Sequence, residues 1–107
     1  EIQLFADWLR GIVMISVISD LRTKAEYIRQ RELDRTLRYL PDLDPETLKH
    51  IERLSESLVN KLLHEPTRRL RIEAGNGHAI QYAQVTRHLF GLEESLNQFT
   101  IAEGLEE

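Results

Sequence analysis

The sequence has 107 residues, of which 41% are hydrophobic and 30% are charged, and its formal net charge is −4. This length and composition fit one globular domain with a modest core rather than a disordered chain. Non-specific nucleic-acid binding usually rests on a positive excess, which this chain lacks. Cysteine is absent, so disulfides, thiolate metal sites and cysteine nucleophiles are excluded together.

The first 40 residues repeat their apolar positions with the period of a helix. The first stripe consists of Ile2, Phe5, Leu9 and Ile12. Gly11 and the β-branched residues after it weaken a helix, so we expect a break here, with Ser16 capping a new start. The longest nearly uncharged run, Gly11 to Ser19, is shorter than the roughly 20 residues of a membrane span. We therefore expect no membrane partner.

The stretch LPDLDPET marks the boundary between two helices. Pro41 is expected to stop the first helix, Asp44 to cap the next one, and Pro45 to occupy its first position, where a missing amide costs nothing. One apolar stripe of this next helix consists of Leu48, Ile51, Leu54, Leu58 and Leu62. Because Val59 and Leu63 add a second apolar edge, this helix is expected to face more than one neighbour.

The second half of the chain is also divided by proline and glycine. Pro66 is expected to end the preceding helix, since proline disfavours helical geometry in the residue before it. A short helix is predicted for Thr67 to Glu73, then a loop at GNG, and a last helix from about His78 to Phe90 capped by Gly91. The sequence therefore predicts an all-α fold with four or five helices. The acidic tail adds three apolar docking candidates, namely Leu96, Phe99 and Ile101.

No residue pattern in the sequence predicts an active site. The four histidines are His50, His64, His78 and His88, and none has a second histidine at metal-ligand spacing. The chain contains no glycine-rich phosphate loop and no serine elbow. We therefore expect no catalytic, cofactor-binding or metal-binding residue.

The basic stretch NKLLHEPTRRLR, Asn60 to Arg71, allows two interpretations. As a phosphate or nucleic-acid site it has the right charge, but it lacks interleaved aromatic residues. As a corner between two helices it also explains the proline. We favour the corner, formed by His64, Pro66, Arg68, Arg69 and Arg71, in which the arginines would pair with acids of neighbouring helices.

Four segments together resemble the C-terminal dimerisation domain of glutamyl-tRNA reductase. They are LVNKLLHEPTRRLR at Leu58 to Arg71, FADWLR at Phe5 to Arg10, LRTKAEYIRQRELDRTL at Leu21 to Leu37, and LFGLE at Leu89 to Glu93. The resemblance covers roughly residues 2 to 93. The family commonly has a proline at the position of Ser16, where this chain has another residue able to start a helix.

The resemblance implies what the parent protein does. Such an enzyme reduces glutamate esterified to tRNA, using NADPH, to glutamate-1-semialdehyde for 5-aminolevulinate and tetrapyrrole (porphyrin, heme and chlorophyll) synthesis. Its catalytic cysteine would lie in an N-terminal domain and its NADPH would bind a central Rossmann domain. Neither domain is in this fragment, so no cofactor is expected here. The resemblance also implies a cytoplasmic location, or the chloroplast stroma in a plant.

The resemblance further implies how the chain is divided. Residues 1–15 would end the long interdomain (spinal) helix, 16–91 would form the helical dimerisation domain, and 92–107 would be an acidic tail. A second subunit would complete the bundle as a homodimer, with core or interface positions at Leu54, Leu58, Val59, Leu62, Leu63 and Leu70.

Other partners stay open at this stage. One alternative is a helical docking platform for a regulatory protein, such as a tetratricopeptide repeat protein. Another is a nucleic-acid-binding domain that uses the arginine corner. Glutamyl-tRNA itself would be bound through the missing domains.

Overall fold

The computed structural model describes residues 2–92, which form three α-helices. Helix α1 spans Ile2–Leu37, α2 spans Pro45–Gly75 and α3 spans Ala79–Phe90. No strand occurs within residues 2–92. The all-α prediction is confirmed, with three helices instead of four or five. The docking candidates in the tail lie outside the described residues.

Helix α1 continues without a break through Gly11 and Ser16, so the predicted restart at Ser16 is wrong. The propensity cost of glycine and β-branched residues is at most about 1 kcal/mol each. Tertiary burial outweighs that cost, since Met14 and Val17 are almost fully buried in the core. The Ser16 hydroxyl caps no helix and instead accepts a hydrogen bond of 3.0 Å from Arg87 of α3.

The boundary between α1 and α2 follows the sequence prediction closely. Helix α1 ends at Leu37, and Pro41 lies in the turn that follows. Asp44 caps α2, because its carboxylate accepts a hydrogen bond of 2.7 Å from the Thr47 amide, and Pro45 is the first helical residue. Hydrogen bonds from Thr47 lower the pKa of Asp44 below its ordinary value.

Helix α2 runs through Pro66, so the predicted helix end and the corner between two helices are wrong. Proline removes one backbone hydrogen bond and crowds the carbonyl of Leu62, four residues earlier. Two buried leucines, Leu63 before the proline and Leu70 after it, attach both halves of α2 to the same core. Tertiary burial therefore keeps the helix continuous, and Thr67 to Glu73 is part of α2.

The turn between α2 and α3 and the end of α3 both use glycine in the left-handed region. Gly77 has φ +85° in the turn, and Gly91 has φ +62° as the C-cap of α3. The prediction that Gly91 ends the last helix is confirmed.

Long-range hydrogen bonds define the directions of the helices. Arg22 donates to Asn60 at 2.7 Å and Arg29 donates to Ser55 at 3.1 Å, so α2 runs antiparallel to α1. Helix α3 then runs parallel to α1, since Arg87 forms a 2.8 Å ion pair with Asp20 and, further along both helices, Lys24 donates to the Phe90 carbonyl. The shared core consists of Met14, Val17, Leu21, Leu63, Leu70, Ala79, Ala83 and Leu92.

Helix α3 is too short to cover the whole α1–α2 pair. Its end lies level with Lys24, whose ammonium donates to the carbonyl oxygens of Phe90 at 2.7 Å and Gly91 at 3.3 Å. Helix α1 continues from there to Leu37. Among residues 2–92, no third helix consequently packs against the part of the α1–α2 pair that lies between the level of Lys24 and Leu37.

Candidate association surface

An open groove of about 850 Å³ lies where α3 stops covering the α1–α2 pair. Eight of its lining residues come from α1, seven from α2 and two from the end of α3. Most of them are apolar, including Ile28 and Leu33 of α1 and Leu54, Leu58 and Leu62 of α2. We call this feature the α1–α2 groove.

The structure divides the predicted core and interface positions into two groups. Leu63 and Leu70 are buried in the core of one chain, and Val59 is partly buried against it. Leu54, Leu58 and Leu62 lie in the groove with 61%, 53% and 73% of their surface exposed. The sequence pattern placed the exposed leucines on one apolar stripe and Val59 and Leu63 on a second edge, but it did not indicate which of the two faces the core.

Sequence reasoning missed the parts of the groove that come from α1 and α3. Ile28 is half exposed in the groove, and Leu89 and Phe90 border it at the end of α3. Their helical periodicity was visible in the sequence. The sequence did not show how far along α1 the third helix reaches. That distance decides whether α3 covers Ile28.

The charged groups at the groove are paired within the chain. The side chain of Arg29 is only 8% exposed and binds Glu26 and Ser55. The hydrogen bond from Arg29 lowers the pKa of Glu26, and Glu26 in turn raises the pKa of Arg29. Lys24 is held by the carbonyl oxygens at the end of α3. These contacts fix polar groups beside the apolar surface of the groove.

The basic stretch of α2 lies along one continuous helix. Arg68 and Arg69 both bind Glu65 on their own helix, at 2.9 Å and 3.3 Å, and not the acids of neighbouring helices that we expected. The hydrogen bond from Arg68 is the main cause of the lowered pKa of Glu65. His64 and Arg71 are exposed. The five corner residues therefore form part of a helix surface on which two arginines share one carboxylate.

The N-terminal part of α1 carries a second exposed apolar surface. Ile2, Phe5 and Trp8 are all more than half exposed, and the Phe5 and Trp8 rings lie 5.9 Å apart. By length and composition, α1 could cross a membrane, although the core helix of a soluble bundle meets the same criterion. The absence of a membrane partner stays a prediction.

Titratable side chains do not gather into a chemical centre in the part of the chain that the structure describes. Within residues 2–92, no group of three or more histidines and carboxylates is placed to hold a metal ion. His78 pairs with Glu73 at 2.9 Å beside the α2–α3 turn. The main chemical feature of the described residues is therefore the apolar groove.

A short helical bundle with an open apolar groove has the form of a domain that associates with another chain. The family model that matches the sequence is described as the glutamyl-tRNAGlu reductase dimerisation domain, and it covers residues 1–92. The chain belongs to this family.

Curated relatives agree with the family match. The chain is 48% identical to a glutamyl-tRNA reductase of Chloroflexus aggregans over 96 residues, which are 90% of this chain and 21% of the relative. It is 42% identical to the glutamyl-tRNA reductase of Rubrobacter xylanophilus over 82% of this chain and 20% of the relative. The chain thus spans about a fifth of the length of these relatives. No solved structure matches it.

Proposed function

We propose that this chain joins two copies of a glutamyl-tRNA reductase into a homodimer. The observation that carries the proposal is the open α1–α2 groove, whose three leucines from α2 are each more than half exposed. Contiguous apolar surface of this kind usually marks an interface. The description of the matching family as a dimerisation domain supports the same function.

The balance of buried and exposed side chains supports the need for a second chain. Among residues 2–92, nine hydrophobic residues are buried, whereas twenty large hydrophobic residues are exposed. A chain of this length can bury only part of its surface by itself. Association would remove further apolar surface from water and so stabilise the bundle.

The activity of the whole protein is part of the proposal. We propose that the parent enzyme reduces glutamate carried by tRNA with NADPH, and that the cofactor and the tRNA bind domains outside this chain. Titration calorimetry of this chain with NADPH should then give no specific heat. Saturable binding would contradict this placement of the cofactor.

The other partners considered from the sequence gain no support. Neither the family description nor the names of the relatives mention a regulatory protein. The nucleic-acid interpretation is weakened, because Arg68 and Arg69 are already bound to Glu65.

Multi-angle light scattering of the 107-residue chain tests the proposed function. One copy has a mass of 12.5 kDa, so a folded chain at micromolar concentration should scatter with twice that mass. Circular dichroism on the same sample checks that the chain is helical. A helical chain with the mass of a single copy would refute homodimerisation through this domain.

A further inference from the structure

The exposed leucines of α2 form one ridge. Leu54, Leu58 and Leu62 are spaced by four residues, and all three line the α1–α2 groove. Rows of side chains with this spacing fit between the corresponding rows of another helix, and the two helix axes then cross at about 50°. The same row on a second copy of the chain is a surface of matching size and chemistry.

We propose that the α2 helices of two copies pack against each other across a two-fold axis that passes beside Leu58. This inference rests on the proposed homodimer and adds where its axis lies. In a two-fold contact the same patch of both copies is used, so the residue on the axis meets its own counterpart. Leu58 would therefore contact Leu58 of the partner subunit.

The position of Leu58 within the ridge supports this choice of axis. It is the middle leucine, and two helices that cross at about 50° diverge in both directions from the crossing point. A crossing at Leu58 keeps Leu54 and Leu62 within one turn of the contact. If the helices crossed at Leu54 or at Leu62, the leucine at the opposite end of the ridge would lie two turns from the contact and stay exposed to water.

The residues around the ridge fit an interface with an apolar centre and a polar edge. Thr47 and the Glu65–Arg69 ion pair lie beyond the two ends of the ridge on α2. Paired charges at the edge and apolar residues at the centre are typical of protein interfaces. Beside the ridge, Ile28 of α1 and Leu89 and Phe90 of α3 add further exposed apolar surface to the groove.

Disulfide formation tests the position of the axis. The 107-residue chain has no cysteine, so Leu58→Cys introduces a single thiol per chain. An interaxial distance of about 10 Å and a Cα radius of about 2.3 Å leave roughly 5 Å between facing Cα atoms. This separation lies within the range of about 4.4–6.8 Å that a disulfide requires.

The matched control is Val85→Cys. Val85 is 55% exposed, close to the 53% of Leu58, but it lies on α3 outside the groove. Under a mild oxidant, Leu58→Cys should form a disulfide-linked dimer at least about tenfold faster than Val85→Cys. Each variant is first checked for its helical content and for its mass under reducing conditions.

The outcomes separate this inference from the proposed function. If both variants are dimers by mass and Leu58→Cys forms its disulfide no faster than Val85→Cys, the axis position is overturned and homodimerisation stays intact. A folded monomer would overturn both. If Leu58→Cys fails to fold or to associate, then Leu54→Cys, Leu62→Cys and their equimolar mixture provide the second test. If none of these three samples forms a disulfide faster than Val85→Cys does, α2–α2 packing is refuted.

Discussion

Leu62 and Leu63 are neighbours in sequence, but the structure gives them opposite roles. Leu62 is 73% exposed in the groove, whereas Leu63 is 6% exposed in the core. Replacing each by alanine therefore separates association from folding. Leu62→Ala should weaken the homodimer with little effect on the fold of one chain, and Leu63→Ala should destabilise each chain by about 2–5 kcal/mol.

The effect on association follows from the area that Leu62 exposes. Leucine to alanine removes three carbons, each worth about 0.8 kcal/mol when fully buried. If the second copy covers the exposed 73% of the side chain, the loss is about 1.5–2 kcal/mol per copy. Two copies contribute to each dimer, so the total is about 3–4 kcal/mol. The dissociation constant should rise by roughly 10²–10³.

Two measurements check this pair of variants. Sedimentation over a concentration series gives the dissociation constant, and urea unfolding at one low concentration gives the stability of the dissociated chain. The low concentration matters because association itself stabilises the folded state by mass action. A Leu62→Ala chain whose dissociation constant lies within threefold of the wild-type value would refute the placement of Leu62 in the interface. The assignment of Leu63 to the core fails if Leu63→Ala unfolds at the wild-type urea concentration.

Four further substitutions test the fold. Pro66→Ala should raise the stability of the chain by about 2 kcal/mol, because it restores a helical hydrogen bond inside α2, and an unchanged or lower urea midpoint would contradict this. Gly11→Ala should stabilise α1 by about 0.5–1 kcal/mol, since a Cβ there meets no atom within 4 Å, whereas Gly77→Ala should destabilise the turn by about 1–2 kcal/mol at φ +85°. Melting curves of both glycine variants check the opposite signs. The pKa of Asp44 is lowered in the folded chain, so its stabilising effect is present above about pH 4 and is lost as the pH falls through the lowered value. Asp44→Asn should keep the cap but reduce the loss of unfolding free energy as the pH falls below about 4. If the variant loses stability with falling pH as steeply as wild type, Asp44 is not the source of the effect.

Local chemistry made several parts of the fold predictable from the sequence. Asp44 and Pro45 marked the start of α2, and Gly91 marked the end of α3. A cap depends on a side chain and on the backbone within a few residues of it, so its signal is complete in a short stretch of sequence. The four segments that resemble the family identified it for the same reason, because each is a local pattern.

The sequence was misleading where a local signal competed with burial. Ser16 and Pro66 both predicted helix ends, yet both lie inside continuous helices. Each has core residues close by on its own helix, Val17 next to Ser16 and Leu63 near Pro66. The energy of burying such residues comes from helices distant in sequence, and a short window does not contain it.

The sequence by itself determined the all-α class, the start of α2 at Pro45, the end of α3 at Gly91 and the family. Only the tertiary structure decided which leucines of α2 are buried and which are exposed. Leu62 and Leu63 are both apolar residues of α2, but they point about 100° apart around the helix axis, and only the side of Leu63 packs into the shared core. Which side of α2 faces the core depends on the packing of all three helices, which no local pattern records.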